Sequence, residues 1–369
     1  MKVRLSKCSI GSGEINAVKN VLESAFLGMG AQVNEFEKAL KKYLQTSMEV
    51  VCVNTGTSAL QLALSALDIG HGDEVLVPSL TYVGSFQAIS ATGAIPVACE
   101  INPDTLFINI EDAKLKVTSK TKAIMPVHYA SSSKGMDDVY QLAREHDLRV
   151  VEDAAQAFGS KRDNEKIGVT GDIICFSFDG IKNITAGEGG AVLTNDQNVA
   201  ERLRDDRLLG VQKDTDNRFA GKRSWDFDVE NQGFRFHMSN INAAIGLEQL
   251  ERIDEFKQKR QKIVQYYLNA IAPISELTEL ALEHHEIMPH ICVVKAVDRD
   301  GLRSFLMDND IECGIHYKPN HLLTKYKTDI RLPITDMVYE KLITLPCHVD
   351  LTFEELRYIV AKIKEFYHA

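Results

Sequence analysis

Residues 176–190 read Phe176-Ser177-Phe178-Asp179-Gly180-Ile181-Lys182-Asn183-Ile184-Thr185-Ala186-Gly187-Glu188-Gly189-Gly190. A strand-like apolar run breaks here into a glycine-rich loop, and one amine, Lys182, stands at the break. A lysine held at the end of a strand is placed to form an imine with a carbonyl. Upstream, Val150-Val151-Glu152-Asp153-Ala154-Ala155-Gln156 is an apolar strand that ends in a carboxylate. Further upstream, Asn54-Thr55-Gly56-Thr57-Ser58-Ala59-Leu60-Gln61-Leu62-Ala63-Leu64 is a small polar turn that follows a short strand and opens an apolar helix. Free N–H groups and the helix dipole at such a turn favour a phosphate.

Each segment alone has a plainer reading: a solvated lysine, an aspartate that caps a helix, an ordinary N-cap by Thr55 or Thr57. Together they supply what pyridoxal phosphate (PLP) requires. That cofactor needs an imine-forming amine, a carboxylate that keeps its pyridine nitrogen protonated, and a cradle for its phosphate. The three segments therefore predict a PLP enzyme.

From about residue 47 to 195, short apolar runs alternate with helical patterns, the pattern of an α/β sheet layered by helices. The strands predicted are Val50–Val53, Glu74–Val77, Ile95–Cys99, Ala123–Val127, Arg149–Val151, Ile173–Phe178 and Ala191–Thr194, seven in one sheet. Helices are predicted over Glu14–Ala25, Val33–Tyr43, Ser58–Ile69, Val83–Thr92, Met136–His146 and Val199–Leu209. Ligands gather beyond the carboxyl ends of strands in such sheets. Asp153, Ser177 and the Gly56-Thr57-Ser58 turn all follow strands, so they could share one rim. Gly210 to His237 is polar, aromatic and poorly periodic, a loop long enough to suggest function. One long amphipathic helix is expected over Asn240–Leu268, with the domain boundary inside it: a large cofactor-binding domain over 1–248 and a smaller α+β domain over 249–369. In the latter, Ile291–Ala296 is strand-like, and Leu302–Asp308 and Phe353–Phe366 are helical.

With 369 residues, 44% hydrophobic and 25% charged, the chain has the composition of a soluble two-domain protein rather than a disordered or fibrous one. No apolar stretch approaches a membrane span, and no signal-peptide core follows the basic start, so a cytoplasmic location is expected. The net charge of −10 argues against a nucleic-acid partner. A local cluster such as Arg218, Lys222 and Arg223 could still bind an anionic small molecule. The seven cysteines are scattered and never form a C-x-x-C pair, so neither a disulfide framework nor a metal site is signalled.

Ordered along nearly the whole chain, Gly56-Thr57-Ser58-Ala59-Leu60, Gly72-Asp73-Glu74-Val75, Pro78-Ser79-Leu80-Thr81-Tyr82-Val83, Pro126-Val127-His128-Tyr129, Glu152-Asp153-Ala154-Ala155-Gln156 and the Lys182 loop resemble the nucleotide-sugar aminotransferase family of fold-type-I PLP enzymes. The resemblance implies the PLP-dependent transferase fold type I, an α/β large domain with a mixed seven-stranded sheet plus the smaller C-terminal domain. It implies that Lys182 binds the cofactor covalently and shuttles the proton, and that Asp153 pairs with the pyridinium nitrogen. Gln156 would contact the ring hydroxyl, Tyr82 would stack on the ring, and Gly56, Thr57, Ser58 and Ser177 would hold the phosphate. In relatives the stretch Gly233–Asn240 reaches the cofactor phosphate of the neighbouring subunit. Here Arg235 stands in place of the commoner asparagine and His237 in place of an arginine, so Arg235 is the candidate for that contact.

The same likeness implies a homodimer with shared active sites, a nucleotide-linked ketosugar as acceptor and L-glutamate as donor, with pyridoxamine phosphate formed between the two half-reactions. Lys213, Arg218, Tyr317 and His321 are the candidates for the nucleotide. The block Gly210–Asn240 looks most like transaminases that form dTDP-4-amino-4,6-dideoxyglucose for surface polysaccharide (O-antigen, lipopolysaccharide) biosynthesis. Two alternatives stay open: amination at C3 of a dTDP-3-keto-6-deoxyhexose, and a non-catalytic PLP-binding regulatory protein. A sugar dehydratase on this fold is disfavoured, because relatives with that chemistry replace the lysine with histidine.

Overall fold

Nine short strands build the N-terminal two thirds of the chain in the computed structural model, which describes residues 1–368. They are β1 (Glu49–Val53), β2 (Glu74–Pro78), β3 (Ile95–Cys99), β4 (Thr121–Ile124), β5 (Arg149–Asp153), β6 (Lys161–Arg162), β7 (Glu165–Lys166), β8 (Ile173–Ser177) and β9 (Gly190–Thr194). β6 and β7 form a small hairpin. The other seven form one sheet in the order β1-β9-β8-β5-β4-β2-β3. β9 runs antiparallel to both β1 and β8, whereas β8, β5, β4, β2 and β3 pair in parallel. The sheet is therefore mixed, and all seven predicted strands are in it.

Every residue of β8 and β9 is buried, which is why these strands read as continuous apolar runs rather than alternating ones. One face is covered by helices Gly56–Ala66 and Val83–Ala91 through Leu60, Leu64, Phe86 and Ile89. Helices Ala31–Leu44 and Asn240–Glu251 cover the other face, through Phe36, Leu40 and Ala243 against Phe176 and Phe178. β4 stops at Ile124, earlier than expected. Pro126, two residues on, has no N–H to donate to a ladder.

The predicted helix over Asn240–Leu268 is two helices, Asn240–Glu251 and Ile253–Ile271, broken at Arg252 (φ −102°, ψ 3°). The joint is tied to the first helix of the chain: Arg252 Nη1 lies 3.0 Å from Glu14 Oε1, and Gln249 Nε2 donates to the same oxygen at 2.5 Å. Apolar periodicity does not register one residue off the helical path, so sequence alone merged the two. Within the expected 210–237 loop a short helix, Asp214–Phe219, forms, closed by Arg218 Nε donating to Asp214 at 2.6 Å.

Beyond it, β10 (Leu277–Glu279), β11 (Cys292–Ala296) and β12 (Leu342–Leu345) form an antiparallel sheet. Helices Ile253–Ile271, Arg299–Asp308 and Phe353–Tyr367 share its core through Ile263, Leu302 and Ile359. Val3 enters the same core and bridges to Ile311, so the first residues of the chain pack with its last third. Among the described residues, no helix is long and apolar enough to cross a membrane.

Candidate active site

β5 and β8 are parallel neighbours and β1 runs in the same direction, so their carboxyl ends open on one side of the sheet. Asp153 is the last residue of β5, Ser177 the last of β8, and Thr55-Gly56-Thr57 follows β1. A cleft of about 530 Å³ lies above them. Gly56, Thr57, Tyr82, Asp153, Gln156, Ser177, Lys182 and Tyr317 all line it. Most of the predicted site is thus assembled in one place by the topology.

At the phosphate end, Thr55 is the N-cap of helix Gly56–Ala66, its hydroxyl accepting from Ser58 N at 3.0 Å. The capping reading of this turn is realised by Thr55. A Cβ on Gly56 would fall 2.6 Å from Ser177 Cβ, and one on Gly190, the first residue of β9, 2.4 Å from the Thr55 carbonyl oxygen. The start of β9 meets the turn backbone to backbone, and the turn packs against the Ser177 side chain at the end of β8.

Lys182 sits in a turn whose backbone N donates to Asp179 O at 3.1 Å. Behind it, buried Asn183 donates through Nδ2 to the carbonyls of Gln156 (3.3 Å), Phe158 (2.8 Å) and Met288 (3.0 Å), anchoring the loop to the segment after β5. Burial pushes the Lys182 amine below the ordinary lysine pKa, against the opposing pull of Asp153 and Asp179. Asp153 is held by Ser85 Oγ, which donates to Oδ2 at 2.7 Å, and by Ala155 N, which donates to Oδ1 at 3.2 Å. Gln156 accepts from Ala130 N at 2.8 Å and donates to the Tyr317 hydroxyl at 3.1 Å. Burial, with Asp153 nearby, raises the Tyr317 phenol, so it stays protonated. Tyr82, 57% exposed at the mouth, leans on Tyr317 with ring centroids 5.6 Å apart.

Other predicted residues lie elsewhere in this chain. Ser58 is buried and spends its hydroxyl on Asn54 Oδ1 at 2.5 Å. Arg235 is exposed, on a segment bridged to Leu208. Lys213 is exposed, and Arg218 is paired with Asp214. His321 is buried away from the cleft, its Nδ1 2.7 Å from Ser79 Oγ and its Nε2 3.1 Å from Asp336. Conversely, the sequence reading passed over Ser85, Asn183, His290 and His316. The two histidines line the cleft, and burial together with Lys182 pushes His316 down to about 4 and His290 well below its usual range, so both are neutral. Nothing in their local sequence marks these residues, because each acts through contacts distant along the chain.

An α/β sheet whose cleft is lined by a lysine amine with no partner among the described residues, by a carboxylate and by a helix start has the arrangement that suits a PLP-binding transferase. Residues 9–364 match the DegT/DnrJ/EryC1/StrS aminotransferase family. The chain is 32% identical over 368 residues to an uncharacterised protein of Methanocaldococcus jannaschii, covering 96% of this chain and 95% of that one. Among solved structures, Spr1654 of Streptococcus pneumoniae, assigned as a sugar aminotransferase and known in PLP and PMP forms, superposes with a TM-score of 0.91 at 30% identity; in its PLP form 100% of this chain and 99% of that chain are covered. Helicobacter pylori PseC, an aminotransferase involved in the biosynthesis of pseudoaminic acid, does so with a TM-score of 0.91 at 26% identity over the full length of both chains. The chain belongs to this family and is a PLP-dependent sugar aminotransferase.

The residues present fit that cofactor. Among the described residues the Lys182 amine has no hydrogen-bond or ion-pair partner, and Gly56, Thr57 and Ser177 line the same cleft at a helix start suited to a phosphate. When bound, PLP supplies an electron sink for the carbanion at the donor's α-carbon. Asp153 would supply the negative charge that holds the ring nitrogen protonated, with Ser85, which donates to its Oδ2, orienting that carboxylate. Lys182, whose amine burial pushes below the ordinary lysine pKa, would be the group that moves a proton.

Proposed function

We propose that this enzyme moves the amino group of L-glutamate to C4 of a dTDP-4-keto-6-deoxyhexose, giving dTDP-4-amino-4,6-dideoxyglucose for surface polysaccharide biosynthesis in the cytoplasm. The observation that carries the transaminase reading is the pairing of an unengaged Lys182 amine with a Ser85-oriented Asp153 in one cleft. The choice of C4 rests on the likeness of the Gly210–Asn240 block to 4-aminotransferases. In that block Trp225, Phe227 and Val229 are exposed.

We infer a homodimer with shared sites as well. Among the described residues no arginine lines the cleft of a single chain, although a phosphate and a nucleoside diphosphate both call for cationic partners. Arg235 and Lys213 meanwhile stand exposed on the same block, free to serve a second chain. In this reading Tyr317 contacts the nucleotide sugar from its own chain, whereas buried His321 positions Ser79.

The test is a mass-spectrometric assay of the protein with PLP, L-glutamate and dTDP-4-keto-6-deoxyglucose beside Lys182→Ala. An aminated product made only by the native chain, with nitrogen at C4 by NMR, is expected. Product from a 3-keto sugar alone would replace C4 with C3, and cofactor binding without turnover on any ketosugar would favour a regulatory protein.

A further inference from the structure

Behind the Lys182 loop lies a second, more enclosed cavity of about 70 Å³. It shares His290, His316 and Ile181 with the wall of the cleft, and the N-terminal segment Leu5-Ser6-Lys7 contributes to its lining. Arg260, only 4% exposed, lines it too. Its Nη1 donates to the carbonyls of Pro289 (3.2 Å), His290 (3.0 Å) and Cys347, while its Nε has no partner among the described residues. The Nδ1 atoms of buried His290 and His348, on the same lining, are also without partners.

Among the described residues, no acid lines this cavity. The two carboxylates whose fields reach His348 are Asp350 and Glu355. Asp350 is engaged by Lys7 at 3.1 Å and Ser9 Oγ at 2.8 Å, and Glu355 closes a helix start through Thr352 N at 2.7 Å. A guanidinium remains charged at any pH the protein meets. Buried without a counter-charge it is strongly unfavourable, and carbonyl dipoles offset only part of that penalty. Water could satisfy the stray nitrogens but would leave the charge unbalanced. At about 70 Å³ the space suits a small ion or a few waters and is too small for a nucleotide.

The geometry points to a binding site for one small monovalent anion of the halide class, held by Arg260 with the Nδ1–H groups of His290 and His348. The ion completes the charge balance of Arg260 and joins the N-terminal segment, the C-terminal sheet and the back of the Lys182 loop. Although His290 also borders the cleft, Arg260 and His348 lie outside it and the ion touches no sugar, so the site stands or falls independently of the proposed substrate.

The test uses the full chain with PLP, prepared in gluconate, with bromide as probe. In crystals grown in bromide, an anomalous peak is expected in the cavity within hydrogen-bond distance of Arg260 Nε. In solution, bromide should raise the melting temperature above that in gluconate at equal ionic strength, with a saturable dependence. His348→Phe, which fills the space and leaves the carbonyl bonds of Arg260 in place, should weaken that dependence at least tenfold. Arg260→Met should abolish it; should that variant fail to fold, the native crystal and His348→Phe still decide the question. A cavity that holds only water in bromide, or a peak with no saturable effect in solution, overturns the assignment.

Discussion

Replacing Gly56 by alanine tests how the phosphate end of the cleft is built. Gly56 is the first residue of its helix and its φ lies outside the left-handed region, so alanine meets no backbone strain there. The obstacle is space. The new methyl would lie 2.6 Å from Ser177 Cβ, 2.9 Å from its Oγ and 3.3 Å from its Cα. Reaching the 3.4 Å at which ordinary contact begins requires the turn and the end of β8 to part by about 0.8 Å. Gly190, pressed against the Thr55 carbonyl from the side of β9, restricts that retreat. Overpacking of this kind costs about 1–3 kcal/mol. If the turn moves, the cost falls on the phosphate site, and PLP affinity drops about 5- to 150-fold; if it does not, the fold loses that stability instead. Titration of the apoprotein with PLP by absorbance, beside equilibrium unfolding of the same variant, measures both. A variant with native affinity and native stability, each within about 0.5 kcal/mol, would refute the close approach and the cradle drawn from it.

Other perturbations address the chemistry and its supports. Lys182→Ala should abolish turnover and the borohydride-trapped covalent bond to the cofactor while leaving the circular dichroism spectrum unchanged; native turnover would sink the mechanism. Asp153→Asn keeps an oxygen for the Ser85 hydroxyl but removes the charge, so PLP should still bind while kcat falls about 100-fold or more, and an unimpaired rate would place the electron sink elsewhere. Because burial lowers the Lys182 pKa from 10.5, more of its amine is neutral at a given pH than in a free lysine. The rate at which PLP couples to the apoprotein should therefore rise with pH and level off with a midpoint below 10.5; a midpoint at or above that value contradicts the burial. Arg207, fully buried, donates to Glu37 at 2.6 Å and to the Cys52 carbonyl at 2.7 Å. Arg207→Met strands the Glu37 carboxylate and should destabilise the fold by about 3–5 kcal/mol in urea unfolding.

Local pattern alone picked out the seven strands of the large sheet, though not their order. Each of its strands is an apolar run bounded by turn residues, and a run such as Ile173–Phe178, too short and too β-branched for a helix, leaves little choice. Lys182, Asp153 and the Gly56 turn were legible for a similar reason: each ends or follows a strand, so strand position and chemical type together point to a rim. The residues that tune them were not legible. Ser85 reaches Asp153 across 68 positions, and Asn183 ties its loop to Met288 across 105, distances over which spacing carries no signal. Tertiary structure alone decided that Arg252 breaks the long helix, that Val3 packs with the C-terminal sheet, and that His321 turns away to Ser79 while Tyr317 faces the cleft. It also placed Arg260 in the interior with no carboxylate beside it. Periodicity and motif report what a segment does with its neighbours along the chain, whereas burial, and every charge and hydrogen bond that burial controls, depends on which distant segment arrives to cover it.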